Sequence, residues 1–539
     1  MTTIEVPPLA WRDCVRIGLA ALLPVLVLAP LQNAPFIDDW VYAWPVRHLL
    51  ETGRLAVAEY STSPQLAQTL WGALFSLPFG FSFAALRLST WTMWAAMLCG
   101  VYLLVRELGG TRRNALVGAS AVAVMPTGFV LAFSFMTDVP FLAGMVWSCF
   151  LFVQGLRRRL SSLIWMGVAA GCFATATRPI GLGLFAAMIL TLLLHAGSWG
   201  RRRATLAAPV AGLVFAAAIL ALGRMPLLQS ADMSGVENAP VNRIASLPDA
   251  VAMLPTTLPL TIVFLVSAVG LALLPLAVAS VSRTTARRAL PLAAGGVVAW
   301  SLLRYLEIGY WVPLSFCETW SLYELGMAKC LTPHAAQVSL PLAFEVMLST
   351  VALTCGSLVV SSTLERGGGG RHPFLWWLIV IELGLSALLW LYHFDRYALP
   401  FALLIAVMVM ARGVDVTSRP ALVAVGLYAA VAVIGLRDHL EFNRTLWEAV
   451  DRLRAARVPA ADIDAGYVVN GWLQYTRPDE AHRNAEGAIS IPMVNSVDRL
   501  PYTVANQPRA GAVVRESLPY AGWLYPDGRL FVLWQETPE

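Results

Sequence analysis

Long apolar runs separated by short polar loops make up most of the chain. A helix that crosses a bilayer needs roughly 20 apolar residues, and about thirteen runs approach that length. They lie at about 13–31, 84–105, 114–131, 139–156, 161–177, 180–196, 204–223, 257–281, 289–307, 341–361, 373–391, 398–411 and 420–436. This pattern predicts an all-α polytopic membrane protein with about 13 transmembrane helices.

One further apolar segment, at about 65–81, interrupts this series. Counting it as a span would move every later arginine cluster to the other side of the membrane. Ser63 and Pro64 before it are suited to the first turn of a helix. We therefore predict a helix that lies at or dips into the outer surface, within a first outer loop of about 32–83.

Basic residues between the runs set the predicted topology. The clusters are Arg112 and Arg113, Arg157 to Arg159, Arg201 to Arg203, Arg283 with Arg287 and Arg288, Arg366 with Arg371, and Arg412 with Arg419. All fall on one side if the spans alternate, and the positive-inside rule makes that side cytoplasmic. Because the first run lacks a small-residue cleavage site, we expect a retained anchor with the amino terminus in the cytoplasm.

The composition becomes polar after residue 437. Residues 1–437 are therefore predicted to form the transmembrane domain, and 438–539 a small soluble domain outside the membrane. Asp438 to Ala456 reads as a helix, whereas Gly466 to Tyr475 and Leu530 to Trp534 read as strand-forming pieces. The fold class predicted for this tail is α+β.

The overall composition excludes an ordinary soluble protein. Hydrophobic residues make up 58% and charged residues 13%, and the mean hydropathy is +0.66. Lys329 is the one lysine among 38 basic residues, a skew that indicates a GC-rich bacterial genome and hence a bacterial inner membrane. The net charge of +5 sits in the arginine clusters, so it is a topology signal and predicts no nucleic-acid partner.

Two of the seven cysteines stand apart from the apolar runs. Cys317 and Cys330 fall in one polar loop, where an oxidising compartment would permit a disulfide between them. Two unpaired thiols fit the same spacing.

The predicted outer face collects an unusual set of polar residues. They are Asp38, Asp39 and His48 in the first outer loop, Asp138 in the second, Arg178 at the next outer turn, and His393, Asp395, Arg396 and Tyr397 in a late outer turn. Ionisable groups that converge on one membrane face indicate a site. Each also has a simpler interpretation, since the acids can cap helices and Arg178 can reach toward lipid headgroups.

The order of several short motifs strengthens the interpretation as a site. After the anchor run come Asp38-Asp39-Trp40, Leu86-Arg87-Leu88, Thr137-Asp138-Val139-Pro140, Ala176-Thr177-Arg178-Pro179 and Arg396-Tyr397-Ala398-Leu399-Pro400. This order resembles the polyprenyl-phosphate-sugar-dependent glycosyltransferases of the C-type fold. That group includes protein O-mannosyltransferases and lipid A aminoarabinose transferases, of glycosyltransferase family 39 and its relatives. The resemblance is good over about residues 15–200 and gives no assignment for the tail.

The resemblance implies particular roles. Asp38 matches the first acid of the family's acidic pair, the catalytic acid–base residue, and Asp39 matches the second acid. Asp138 matches the acid of the second outer loop. The implied substrate- and phosphate-binding residues are Arg178, Arg396, Tyr397, His48 and Arg87. The chain departs from many relatives in having no basic residue near Ser63-Pro64-Gln65.

These roles define an expected reaction at the outer face, where no nucleotide pool exists. A polyprenyl-phosphate sugar would be the donor, and Asp38 would take the proton of a hydroxyl or amine on a glycan, lipid or protein acceptor, with inversion. Arg178 and Arg396 would stabilise the departing phosphate. Asp38 and Asp138 are also the predicted ligands if the reaction uses a divalent cation, magnesium or manganese.

Two other classes of protein stay open at this stage. A transporter or lipid-linked sugar flippase would use buried ionisable groups such as Glu382, in the middle of the run at 373–391. Against it, the two halves show no inverted repeat. Glu382 is also suited to a structural pair with a neighbouring span. A scaffold whose tail binds a partner is the third possibility.

Overall fold

The computed structural model describes residues 8–28, 32–58, 61, 65–222, 247–281, 283–305, 342–364, 372–389, 394–480, 500–523 and 526–536. Helices dominate this part of the chain, and strands occur only in its carboxyl-terminal region. The helices before that region are α1 Pro8–Leu28, α2 Asp39–Thr52, α3 Leu66–Ser76, α4 Phe83–Glu107, α5 Arg112–Ala123, α6 Pro126–Ala132, α7 Asp138–Arg158, α8 Ser161–Thr177, α9 Leu182–His195, α10 Gly197–Gly200, α11 Arg203–Leu222, α12 Leu247–Ala272, α13 Leu274–Ala279, α14 Arg283–Tyr305, α15 Leu342–Leu364, α16 Pro373–Leu389, α17 Leu399–Ala411 and α18 Arg419–Ala455.

Every predicted span overlaps a helix, so the fold class of an all-α membrane protein is confirmed. Among the described residues, six helices are long and apolar enough to cross a membrane. The count becomes seven if α5 and α6, which bend by 73° at Met125, form one span. Several other helices in predicted spans are shorter than 18 residues, and the number of 13 crossings stays a prediction.

Small residues bring the helices of the bundle close together. A Cβ atom at Gly144 of α7 would meet Ala174 of α8 at 3.0 Å. Likewise, a Cβ atom at Gly270 of α12 would clash with the carbonyl oxygen of Ala352 of α15. Since lipid tails are as apolar as the helices, such close packing is a main source of helix association in a bilayer. It holds α7 at the centre of the bundle, against α4 and α8.

The predicted first outer loop contains two short helices, α2 and α3. Helix α2 ends where Gly53 adopts a left-handed conformation with φ of 70°, which favours glycine. Helix α3 has 11 residues, too few to span a bilayer, and packs against α2, α4 and α8. The predicted surface helix at about 65–81 therefore exists as a short helix, and its outer location stays a prediction.

One continuous helix joins the bundle to the carboxyl-terminal region. Helix α18 has 37 residues and runs through the predicted boundary between residues 437 and 438. Its second half carries Phe442, Leu446 and Val450 into a separate hydrophobic core. The predicted helix at Asp438 to Ala456 thus forms as the carboxyl-terminal part of a longer one.

The remaining elements complete a small α+β unit. They are β1 Ile463–Asp464, α19 Tyr467–Thr476, β2 Tyr502–Ala505, β3 Val513–Pro519 and β4 Arg529–Trp534. The sheet order is β1-β2-β4-β3, with β1 parallel to β2 and the other pairs antiparallel. The predicted strand at Leu530 to Trp534 is confirmed as β4.

The predicted strand at Gly466 to Tyr475 is wrong, because this segment forms helix α19. Its valines and tyrosines are typical of strands. Their burial follows the helical period instead: Val469 and Leu473 enter the carboxyl-terminal core, whereas Tyr467 and Tyr475 pack on the main bundle. Two different partners on opposite faces therefore override the local strand preference.

Candidate active site

An ion pair joins the segment before α2 to a turn late in the chain. Arg396 Nη1 donates to Asp38 Oδ2 at 3.0 Å. Asp38 precedes α2, and Arg396 lies in the 3₁₀ turn Asp395–Ala398 that leads into α17. The side chains of Asp38 and Arg396 are 23% and 10% exposed, so the carboxylate is reachable from outside.

A second ion pair lies where α7 begins and α8 ends. Arg178 Nη1 lies 2.8 Å from Asp138 Oδ1, and Arg178 Nε donates to the Thr137 hydroxyl at 2.8 Å. Proline sets this geometry, because Pro179 disfavours helical backbone at Arg178, whose φ of −138° ends α8. Asp138 in the first turn of α7 is favourably placed against the helix dipole.

Tyr397 brings the two pairs together. The guanidinium carbons of Arg178 and Arg396 lie 5.4 and 5.6 Å from the centre of its ring. Such distances are in the range of cation–π contacts. Five residues that the sequence analysis singled out, Asp38, Asp138, Arg178, Arg396 and Tyr397, thus converge on one place at the ends of their helices.

The turn that carries Arg396 is held from both sides. Asp395 Oδ1 accepts a hydrogen bond from the backbone N–H of Arg396, and Asp395 Oδ2 accepts one from the Thr127 hydroxyl, both at 2.8 Å. Burial by itself lowers the pKa of Arg396. The neighbouring Asp38, Tyr397 and Asp138 outweigh burial and raise this pKa well above its ordinary value. The site therefore holds a permanent positive charge at this point.

Tyr42 belongs to the same cluster, and sequence reasoning missed it. Burial raises the pKa of its phenol, which also feels the charges of Arg396, Asp38 and Arg178. Tyr42 lies four residues after Asp38, the spacing that places two side chains on one face of a helix. That spacing was the available signal.

Asp39 and Arg87 form a separate, fully buried pair. Their side chains are 0% and 2% exposed, and Arg87 Nη2 lies 3.6 Å from Asp39 Oδ2. The backbone N–H of Phe36 donates to Asp39 Oδ1 at 2.9 Å, and Arg87 donates to the carbonyls of Gln32 and Ala34. Burial raises the pKa of Asp39 to about 7, because Arg87 offsets only part of the desolvation. These contacts fix the loop that presents Asp38.

His48 lies near the far end of α2 from Asp38. Its ring stacks on Trp44, with centres 5.1 Å apart and an interplanar angle of 26°. Ten residues of helix separate His48 from Asp38, a rise of about 15 Å. The structure does not bring His48 to the cluster at Tyr397.

The groups around Asp38 and Asp138 show whether these two predicted ligands suit a divalent cation. Asp38 and Asp138 each face an arginine, and the part of the chain that the structure describes contains no group of three or more His, Cys, Asp or Glu suited to a metal ion. A hard cation prefers several oxygen ligands and no adjacent positive charge. The residues present therefore do not fit a cation that the protein holds by itself.

Four other residues from the sequence analysis have different outcomes. Cys317 and Cys330, the predicted disulfide, and His393 lie outside the described residues. Glu382 is 1% exposed, and its carboxylate faces Gly183 of α9. Within the described ranges it has neither the predicted structural partner nor any hydrogen bond.

Comparison with known proteins supports a class for this site. Residues 64–222 match the family model described as dolichyl-phosphate-mannose-protein mannosyltransferase. The match includes Asp138 and Arg178, whereas Asp38 precedes it and Arg396 follows it. The predicted resemblance to lipid-phosphate-dependent membrane glycosyltransferases is confirmed over these residues.

Similar solved structures include two of ArnT from Cupriavidus metallidurans, one bound to undecaprenyl phosphate and one in the apo state. Each has 12% sequence identity and a TM-score of 0.43, over 96% of this chain and 97% of that chain. Another is the archaeal oligosaccharyltransferase AglB from Archaeoglobus fulgidus, in complex with an inhibitory peptide and a dolichol-phosphate. It has 13% identity and a TM-score of 0.36, over 81% of this chain and 56% of that chain. A search of curated proteins gave no match.

Proposed function

We propose that the protein transfers a sugar from a polyprenyl phosphate to an acceptor at the outer face of the bacterial inner membrane. The observation that carries this proposal is the convergence of two carboxylate–arginine pairs on Tyr397. The family match to residues 64–222 supports the type of donor. A cytoplasmic amino terminus and an outer carboxyl-terminal domain complete the proposed topology.

The two arginines form a receptor for the donor phosphate. Arg178 and Arg396 lie against one tyrosine ring, and guanidinium groups bind phosphate through paired, charge-assisted hydrogen bonds. Without donor, each arginine holds a carboxylate instead. Donor binding exchanges these carboxylates for phosphate oxygens.

This exchange releases Asp38 to act as the general base. The acceptor oxygen or nitrogen attacks the anomeric carbon while Asp38 takes its proton. The bond between that carbon and the phosphate oxygen breaks, and its electron pair leaves with the phosphate. Attack from the face opposite the phosphate inverts the anomeric centre. The arginines stabilise the charge that develops on the departing group.

Asp138 and Asp39 take supporting roles. Asp138 orients Arg178 in the resting state and, once released, accepts a hydrogen bond from the acceptor. Asp39 does not reach the substrate, since it is fully buried and positions the loop through Arg87 and Phe36. A divalent cation has no step in this mechanism.

An apolar cavity beside α17 suits part of the isoprenoid tail of the donor. It has a volume of about 160 Å³ between α12, α15, α16 and α17. Phe401 and Ile405 line it, and they lie further along the chain than Arg396, on the helix that the arginine turn leads into. A tail placed there leaves the phosphate at the ends of the helices.

The proposal is tested with the purified chain in lipid nanodiscs, radiolabelled polyprenyl-phosphate sugars and envelope extracts as acceptor. We expect label to reach the acceptor, and Asp38→Asn to lower the rate by at least about 100-fold. Glu51→Gln is the matched control, because Glu51 lies on the same helix but pairs with Arg47 at the surface. Transfer by Asp38→Asn at the wild-type rate would rule out the base, and donor movement across the bilayer without transfer would indicate a flippase.

A further inference from the structure

A polar cleft runs along the outer half of α18, apart from the cluster at Tyr397. Its volume is about 520 Å³, within the usual range of ligand sites. One wall is the loop residues Gln32, Asn33 and Ala34, and the other is a stripe of α18. That stripe consists of Arg444, Trp447, Glu448, Asp451, Arg452 and Ala455.

From this cleft we infer a binding site for a neutral saccharide, the acceptor of the transfer reaction. The inference rests on the proposed function and adds the substrate class and the place where the acceptor is held.

The walls of the cleft are fixed before any ligand binds. Gln32 Nε2 donates to the carbonyl of Leu440 at 2.8 Å, and Asn443 Nδ2 donates to Gln32 Oε1 at 3.1 Å. The indole N–H of Trp447 donates to the carbonyl of Pro35 at 3.0 Å. A preformed site binds with a smaller loss of conformational entropy.

The lining favours a hydroxyl-rich, uncharged ligand. Two arginines and two carboxylates give the cleft no net formal charge, so it does not attract a phosphate as the site at Tyr397 does. Arg452 pairs with Glu448 at 2.5 Å, whereas Asp451 has no ion pair or hydrogen bond among the described residues. Asp451 is thus available to accept hydrogen bonds from sugar hydroxyls. Trp447 adds the flat apolar surface beside the polar groups.

The cleft rises from the membrane border. Its loop wall begins at Gln32, directly after the predicted span at 13–31. On α18 the predicted span ends at residue 436, and Arg444 and Ala455 follow it by about 12 and 28 Å of helix. A lipid headgroup therefore reaches only the lower end of the cleft. A glycan that extends away from the bilayer matches its direction.

The lower end of the cleft is close to the proposed base. Ala34 lines the cleft and precedes Asp38 by four residues, which span at most about 14 Å of chain. The same loop is clamped by Arg87, the partner of Asp39. A saccharide in the cleft is therefore held by the segment that ends at Asp38.

The test is saccharide binding to the full chain in nanodiscs, measured by saturation-transfer NMR. The probe is the mixture of saccharides released from the producer's envelope by mild acid. We expect the wild type to bind it and Asp451→Ala to weaken binding about tenfold, the effect of losing one or two charge-assisted hydrogen bonds. Trp523→Ala is the control, since Trp523 is a 58% exposed tryptophan of the same domain, away from the cleft.

The outcomes separate this inference from the proposed function. If Asp451→Ala and the wild type bind the saccharides equally well, the inferred binding site in the cleft is wrong. Failure of the wild type to bind, or competition by envelope peptides and not by saccharides, overturns it as well. If the wild type binds saccharide and Asp451→Ala does not, the result supports a saccharide site in the cleft. If the wild type also consumes no donor, that second result rejects only the proposed glycosyl transfer. Trp447→Phe provides a second variant that keeps the aromatic packing and removes the indole N–H.

Discussion

Asp38 and Asp39 are neighbours in the chain, yet they have opposite surroundings. Asp38 pairs with Arg396 at 3.0 Å and keeps 23% of its side chain exposed. Asp39 pairs with Arg87 at 3.6 Å, and both side chains are almost wholly buried. In a partly exposed pair the arginine can exchange its carboxylate for a phosphate, whereas a buried pair has no access to another partner. Asp38 is therefore suited to the proposed chemistry, whereas Asp39 is suited to holding the loop in place.

The largest effect expected in this comparison is a loss of stability in Asp39→Ala. The substitution removes the side chain that pairs with the buried Arg87 and accepts a hydrogen bond from the backbone N–H of Phe36, which costs about 3–5 kcal/mol. Thermal unfolding in nanodiscs should therefore show a clearly lowered midpoint, while the activity of the molecules that remain folded is largely retained. Asp527→Ala, at an exposed position, serves as the control. A variant that is fully stable but inactive would assign Asp39 to the chemistry.

The pH dependence of unfolding is a second readout for Asp39. Burial raises its pKa from 3.8 to about 7 in the folded state. Because the folded pKa lies above the unfolded one, the stabilising contribution is complete below about pH 4 and is lost as the pH rises through 7. The wild type should lose more stability than Asp39→Asn between pH 5 and pH 8. Parallel pH profiles would contradict this account of the buried acid.

A smaller effect is expected when the proposed phosphate-binding arginine Arg178 is replaced by a residue with the same charge and a different geometry. Arg178→Lys preserves the positive charge and removes the paired donors of the guanidinium group. We expect KM for the donor to rise about tenfold while the protein stays folded. Arg47→Lys is the matched control, because Arg47 pairs with Glu51 on the surface of α2. An unchanged donor KM in Arg178→Lys would place the phosphate elsewhere.

The smallest effect is expected at the packing contact between α2 and the carboxyl-terminal domain. A Cβ atom at Gly471 of α19 would clash with the indole ring of Trp40, two residues after Asp38. Gly471→Ala should therefore cost about 1–3 kcal/mol through overpacking and lower the transfer rate by displacing the loop. Gly426→Ala, where a Cβ atom meets nothing within 4 Å, should be neutral. Equal behaviour of the two variants would show that this contact is not tight.

Sequence patterns predicted the bundle well, for a physical reason. An apolar run of spanning length has few alternatives to a helix in a bilayer, so every predicted span overlaps one. The segment at Gly466 to Tyr475 was misread because its strand-like composition serves two packing faces of a helix. Tertiary contacts of that kind cannot be recognised from the local sequence.

The candidate site was predictable only as a set of residues on one face. The pairing of Asp38 with Arg396 joins positions 358 residues apart, which no local pattern reveals. The burial of Arg87 was also hidden, since Leu86-Arg87-Leu88 looks the same whether its arginine meets substrate or backbone carbonyls. Tyr42 carried a readable signal in its spacing from Asp38. The roles of all these residues remain predictions.

The unbroken helix α18 has a mechanical consequence. Its 37 residues extend about 56 Å, with one part in the bundle and the other in the carboxyl-terminal core. A stiff rod of this kind keeps the carboxyl-terminal domain at a constant distance from the bundle and prevents it from swinging freely. Under the proposed function, the domain then selects acceptors by the length at which their reactive end meets Asp38.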